Sequence, residues 1–220
     1  MINQTEHIVI NTHDLSVIRQ GKKILDRFNL TLQQNQRLCL HGPIGCGKTT
    51  LLHTLLGFIP FHGQIYLLGE ECKTEKQFAQ KRGKIGLLFQ HPDDQLFGPT
   101  VHDDVAFGPL NQGKSKEEAY TIAEQQLEQL GISHLSMRYV NQLSGGEKNF
   151  TALAGILAMQ PQVLLLDEPT NGLDPDNVSR LVNILLQTRL PMIIASHDMV
   201  FIQKMATDLI DMSAILPPSL

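Results

Sequence analysis

Gly42-Pro43-Ile44-Gly45-Cys46-Gly47-Lys48-Thr49-Thr50 is the stretch that decides the fold. From Gly42 to Thr49 it fits G-x-x-x-x-G-K-[ST], a phosphate-binding loop. The apolar run Arg37-Leu38-Cys39-Leu40-His41 ahead of it reads as a buried strand. Leu51, Leu52, Leu55 and Leu56 behind it keep helical spacing until Gly57 closes the helix. A glycine-rich turn matching without purpose has no need of this strand and helix. Its glycines let the backbone turn tightly and aim N–H groups at phosphate oxygens. The helix start adds partial positive charge. Lys48 is placed to neutralise β- and γ-phosphates, and the Thr49 hydroxyl to ligate Mg²⁺.

The 220 residues suit one domain, with room for a subdomain. Eighteen Lys and Arg against 22 Asp and Glu give a net charge of −4, which argues against nucleic acid as the main ligand. Three cysteines, Cys39, Cys46 and Cys72, stand at no metal-ligand spacing and suit a reducing cytosol. Met1 to Glu6 lacks the basic start and apolar stretch of a signal peptide. No apolar run approaches the ~18 residues that span a bilayer. A chain soluble by itself is expected, and a membrane partner is compatible with that. The nine histidines are scattered, and His7, His13 and His62 read as surface residues.

Residues 8–10 and 15–18 read as short strands and Ile24 to Leu32 as another, forming an antiparallel layer beside the phosphate loop. Gly63–Gly69 and Lys84–Phe89 read as strands, the second delivering Gln90 at its end. From His91 to Gly113 the breakers Pro92, Gly98, Pro99, Gly108 and Pro109 predict loop and short helix. Ser115 and Glu118 have capping-box spacing, opening a helix that Gly131 ends. Another helix opens at Leu143-Ser144-Gly145-Gly146-Glu147 and runs to about Met159. Val163–Leu166 is a strand ending in Asp167-Glu168; Asp174-Pro175 starts a helix; Met192–Ala195 is a strand ending in Ser196-His197-Asp198. This alternation predicts a mainly parallel α/β sheet with helices on both faces. The domain is expected to have a core of 1–90 and 156–220, with 91–155 inserted as a mostly helical subdomain.

Ligands in open α/β sheets bind outside the carboxyl ends of the strands, where the phosphate loop, Gln90, Asp167-Glu168 and His197 converge. Asp167 after an apolar strand suits Mg²⁺ held through water, and Gln90 suits the ion or the attacking water. Glu168 is the candidate to polarise that water, and His197 to hydrogen-bond the γ-phosphate. The bland alternatives are a helix cap for the acidic pair and a core histidine for His197. Ser144-Gly145-Gly146-Glu147 offers a second anion site at a helix start. One chain does not need two γ-phosphate cradles, so the second suits the nucleotide of another chain.

Together these residues resemble the ATP-binding cassette family over essentially the whole length. Gly42–Thr49 is similar to its Walker A, Gln90 to the Q-loop, Leu143–Glu147 to the signature and Leu164–Glu168 to Walker B. Asn171-Gly172-Leu173-Asp174 is similar to the D-loop and His197 to the switch histidine. The resemblance implies the P-loop NTPase cassette fold and ATP hydrolysis with Mg²⁺. It also implies a head-to-tail dimer, of two copies or with a different cassette, sandwiching two ATP molecules. The stretch Phe89–Phe97, continued by Thr100-Val101 and Asp103–Pro109, resembles the ATPases of energy-coupling-factor importers, particularly those for cobalt and nickel. That implies a groove after the Q-loop receiving coupling helices of integral-membrane subunits, and a place on the cytoplasmic face of the membrane. A packed connector is the alternative reading of 91–109.

Two departures stand out. Where the family stacks an aromatic residue on adenine, this chain has Val17-Ile18-Arg19, which makes Arg19 the candidate nucleotide contact. Lys148-Asn149-Phe150 lacks the arginine common after the signature, and the chain stops soon after Asp211. A soluble cassette protein of DNA repair or translation is a competing expectation, usually with paired cassettes or long coiled coils. A small-molecule kinase leaves the signature unexplained.

Overall fold

Val163–Leu166 and Met192–Ala195 are apolar at every position, which suits strands covered on both faces. In the computed structural model, which describes residues 8–214, both lie in a five-stranded sheet. Its order is β6 (Ile85–Leu88), β7 (Val163–Asp167), β8 (Met192–Ala195), β3 (Arg37–His41) and β9 (Asp208–Asp211), and every neighbouring pair is parallel. Register aligns Asp167 with Ala195 and His41 with Asp211, so the carboxyl ends of the strands finish level. The readings made for Met1 to Glu6 and for His7 lie outside the described residues.

Beside this sheet is an antiparallel one, ordered β2 (Lys22–Gln33), β1 (Ile8–Arg19), β4 (His62–Leu67) and β5 (Glu70–Glu71). The expected layer is there, with one difference. Residues 8–10 and 15–18 are one twelve-residue strand, not two. Its register with β2 shifts between Thr12 and Leu15, where Asp14 turns to φ 49° and its N–H donates to Asn29 Oδ1 at 3.0 Å. A bulge of this kind bends a strand without ending it.

Alternate side chains of the parallel strands divide between two cores. Cys39, Leu164, Leu166 and Ile194 face helices α3 (Val101–Asn111), α4 (Lys116–Gln129), α5 (Gly145–Ala158), α6 (Pro175–Thr188) and α7 (Met199–Met205). Leu40, Val163, Leu165 and Ile193 face α1 (Lys48–Leu55), α2 (Glu75–Arg82) and the antiparallel sheet. Burial pushes the Cys39 thiol up to about 12, so it behaves as a small apolar core residue. Among the described residues no helix is long and apolar enough to cross a membrane.

The breakers between His91 and Gly113 mislead. Gly108 and Pro109 lie inside the eleven-residue α3, which Thr100 starts with a capping box to Asp103. Pro109 has no N–H to donate to the carbonyl four residues back, and it stands in the last turn with only Leu110 and Asn111 of the helix beyond it. A Cβ on Gly108 would come within 2.4 Å of Met159 Cγ, so glycine here is set by packing against α5. Helices α2 and α7 and the edge strands β5 and β9 were not anticipated from the sequence. Helix α5 crosses residue 155, and its buried Leu153, Ala154 and Ile156 belong to the same core as the sheet residues Leu164 and Leu166.

Candidate active site

Two glycines shape the loop between β3 and α1. Gly47 has φ 96°, and a Cβ on it would stand 2.8 Å from Ile24 Cγ2. A Cβ on Gly42 would stand 2.8 Å from Cys46 Sγ. Gly47 also occupies the N-cap of α1, so no side chain caps the first N–H groups of that helix. Uncapped N–H groups and the helix dipole together make an anion site.

Lys48 sits nearly buried at the centre. Its ammonium donates to the Gly42 carbonyl at 2.8 Å and the Pro43 carbonyl at 3.4 Å, and lies 3.5 Å from Glu168 Oε1. Glu168 Oε2 accepts the His197 backbone N–H at 3.1 Å and pairs with His197 Nδ1 at 2.8 Å. Lys48, Glu168 and His197 are therefore one polar chain drawn from three loops. Glu168 holds its place with a left-handed backbone, φ 46°, its N–H donating to the Ala195 carbonyl at 2.8 Å. Non-glycine residues seldom adopt this region, and the turn aims the carboxylate back over the strand ends.

Beneath lies Asp167, 1% exposed, with Oδ1 lacking any protein partner. Burial pushes its carboxyl above the usual range, and hydrogen bonding from Thr49 opposes the rise. A buried, unpartnered carboxylate oxygen beside a threonine hydroxyl is a hard donor set that fits Mg²⁺.

A cavity of about 360 Å³ unites the site, lined by Ile44, Gly45, Gly47, Lys48, Thr49 and Thr50 of the loop and by Gln90, Glu168 and His197. Gly42, Pro43 and Cys46 form the loop beneath, where Cys46 is buried. Arg19 is exposed at the β1–β2 hairpin and does not line this cavity. Ser144, Gly145, Gly146 and Glu147 stand apart from it, at the start of α5. There Ser144 and Glu147 exchange hydrogen bonds in a capping box, and Arg138 pairs with Glu147 at 3.0 Å. Hence one chain brings together the loop and three strand ends, and keeps the Ser144–Glu147 helix start elsewhere.

The family model described as ABC transporter matches residues 25–171. The chain belongs to the ABC transporter family. It is 55% identical to an uncharacterized ABC transporter ATP-binding protein of Haemophilus influenzae, over 93% of this chain and 94% of that protein. It is 40% identical to the energy-coupling factor transporter ATP-binding protein EcfA of Methanothermobacter thermautotrophicus, over 90% of this chain and 66% of that one. Among solved structures it is similar to cbiO1 from Clostridium perfringens, described as part of the ABC transporter complex cbiONQ. The TM-score is 0.84 at 31% identity, covering 93% and 84% of the two chains. A dimeric bacterial ABC transporter cassette, at 23% identity and TM-score 0.82 over 89% and 91% of the chains, shares the fold. As a member of the ABC ATPases, this chain is an ATP-hydrolysing subunit of a transporter.

The sequence reading of this ABC ATPase missed two lining residues, Ile24 and Asn171. Ile24 lies on β2, and nothing in a strand pattern tells which residue will touch a distant loop. Asn171 was legible as part of the D-loop resemblance, but its place in the same cavity as Lys48 was not.

Proposed function

We propose that this chain powers an importer of the energy-coupling-factor type, with a transition-metal ion such as cobalt or nickel as cargo. It would act as a dimer on the cytoplasmic face of the membrane, bound to integral-membrane subunits, with ATP as fuel. In this reading Thr49, Asp167 and Gln90 hold Mg²⁺, which supplies positive charge to the phosphate oxygens when bound. Lys48 leaves the loop carbonyls for the β- and γ-phosphates, and Glu168 accepts a proton from the attacking water. His197 steadies the γ-phosphate from the far side. With Nδ1 facing Glu168, its Nε2 is the ring atom free for that contact. The loop Gly42–Thr50 cradles the phosphates, and Ser144–Glu147 closes on the ATP of the partner copy. Segment 91–155 is the unit that carries this signature and meets the membrane subunit.

One observation carries the transport reading: an apolar groove directly after Gln90. Phe97 is 63% exposed and Phe107 43% exposed, their rings edge to face at 4.3 Å. They line a groove of about 340 Å³ with Gly83, Gly108, Ile156 and Met159. Val105 is fully buried and Leu96 partly so, hence the stretch is half core and half open surface. Buried Asp104 accepts the N–H groups of Phe97 at 2.9 Å and Gly98 at 2.7 Å, which fixes the exposed ring in place. Burial pushes the Asp104 carboxyl upward, and those two bonds oppose the rise. Exposed aromatic rings held by a buried polar anchor suit a docking helix better than a connector.

Phe97→Asp is therefore expected to abolish co-purification with the membrane subunit, because a desolvated carboxylate would face an apolar helix. The isolated variant should keep its ATP hydrolysis. Undiminished co-purification would favour the connector reading. Cargo is read by labelled cobalt or nickel uptake in cells carrying the whole operon, with a vitamin such as biotin as the second choice.

Among the described residues no phenylalanine, tyrosine or tryptophan lines the cavity; Ile24 does, while Arg19 is exposed and outside its lining. Without a ring to stack a base, GTP should compete with ATP within about tenfold in affinity. A competition titration with both nucleotides checks this, and a strong ATP preference would assign base reading to another group.

A further inference from the structure

Lys148 and Asn149 follow the signature directly, and they reach in different directions from α5. Successive helical positions are about 100° apart, so neighbours can grip separate elements. The Lys148 ammonium pairs with the carboxylate of Asp93, three residues beyond Gln90. Asn149, 3% exposed, donates Nδ2 to the carbonyl of Pro169 at 3.1 Å, the residue beyond Glu168. Its Oδ1 is buried without a partner. Reversing the amide would set oxygen against oxygen, so the donor must face Pro169.

Stability alone accounts poorly for either residue. An ion pair whose carboxylate partner is 73% exposed adds little. An orphaned amide oxygen inside a core is a cost. What both bonds share is geometry: each ties the signature helix to a segment that begins at a residue of the ATP cavity, Asp93 three residues after Gln90 and Pro169 next to Glu168.

We infer that Lys148 and Asn149 are positioning residues that key the signature helix to Gln90 and Glu168 of their own chain. ATP in one site thereby sets how that chain presents Ser144–Glu147 to the ATP held by its partner. The inference rests on the shared-site dimer proposed above.

The test compares full-length chains carrying Lys148→Asp, Asp93→Lys, both together, Asn149→Leu and Asn149→Gln. Three quantities are read: hydrolysis rate against ATP concentration, ATP occlusion in the dimer, and affinity of the dilute monomer for a fluorescent ATP analogue. Each single charge variant and Asn149→Leu should lose about tenfold or more in kcat. Their Hill coefficient should fall to about 1, with monomer affinity within about twofold. The charge swap and Asn149→Gln, which retain the ties, should recover most of the rate and the cooperativity. Cooperative, full-rate hydrolysis by Asn149→Leu and the single charge variants overturns the inference. So does a swap as slow as its parents, since local charge rather than the tie would then be responsible. Because the charge pair is on the surface, it keeps the test sound if Asn149→Leu folds poorly. An unmodified chain that hydrolyses ATP without cooperativity or occlusion gives a different pattern, one that overturns the shared site itself.

Discussion

Purified Glu168→Gln protein is expected to bind Mg-ATP like the unmodified chain and to hydrolyse it about 10²–10⁴-fold more slowly. The amide nearly matches the carboxylate in shape but is a poor acceptor for the proton of water. Binding should survive because the loop carbonyls of Gly42 and Pro43, 2.8 and 3.4 Å from the ammonium, still hold Lys48 where it can turn to the phosphates. The Lys48–Glu168 pair is nearly buried, and leaving one charge of such a pair alone commonly costs about 3–5 kcal/mol. Here the amide oxygen can still face the ammonium, but its NH2 then meets the His197 N–H that Oε2 accepted at 3.1 Å, so the melting temperature should fall modestly. Phosphate release and a filter-binding isotherm on one preparation separate the two effects. Near-normal turnover would remove Glu168 from the role of base.

The second large effect comes from mixing two inactive proteins. If two copies share each ATP, Lys48 of one chain and Ser144 of the other meet it together. Lys48→Ala and Ser144→Arg homodimers then lose opposite halves of every site, and both should be dead. In a mixed dimer one site collects both lesions and the other has none. Hydrolysis should therefore return, to at most about half of the normal rate per mixed dimer if sites act independently. The double variant mixed with unmodified chains leaves one lesion in every mixed site, so it should inhibit. Occlusion of ATP is measured alongside, to separate closure from turnover. Mixed dimers that form yet neither occlude nor hydrolyse ATP would sink the two-copy model and favour a heterodimer with a different cassette.

Much of this architecture was legible because its signals are local. The strand Val163–Leu166, the Gly42–Thr49 loop and the Asp174-Pro175 helix start each declare themselves within a few residues. The capping box at Ser115 did so as well; the one at Ser144 was read only as a helix start, and Thr74 with Gln77 carried the same signal for the unanticipated α2. What failed was reasoning from breakers. Gly108 and Pro109 looked like loop residues, yet α5 needs glycine at 108 for its close approach to α3, and Pro109 falls in the last turn of that helix. Tertiary contacts of this kind leave no mark in a short window. Neither does a bulge: the polar interruption at 11–14 split β1 on paper, while Asn29 mends it from the neighbouring strand. Convergence of the three strand ends was foreseeable from parallel topology. The pairing of Glu168 with both Lys48 and His197 was not, because it depends on a backbone turn at Glu168 that its residue type does not favour.

That turn sets backbone strain against charge pairing at a single position. A residue held at φ 46° without being glycine or asparagine carries on the order of 1–3 kcal/mol of backbone strain. Exchanging Glu168 for glycine would relax the turn, yet it would leave the nearly buried Lys48 ammonium without its carboxylate, a loss of about 3–5 kcal/mol that outweighs the strain relieved. The resulting protein would be both less stable and inert. Glutamate at this position thus answers two demands at once: the strained turn is held because one carboxylate serves the buried ammonium and the reaction alike.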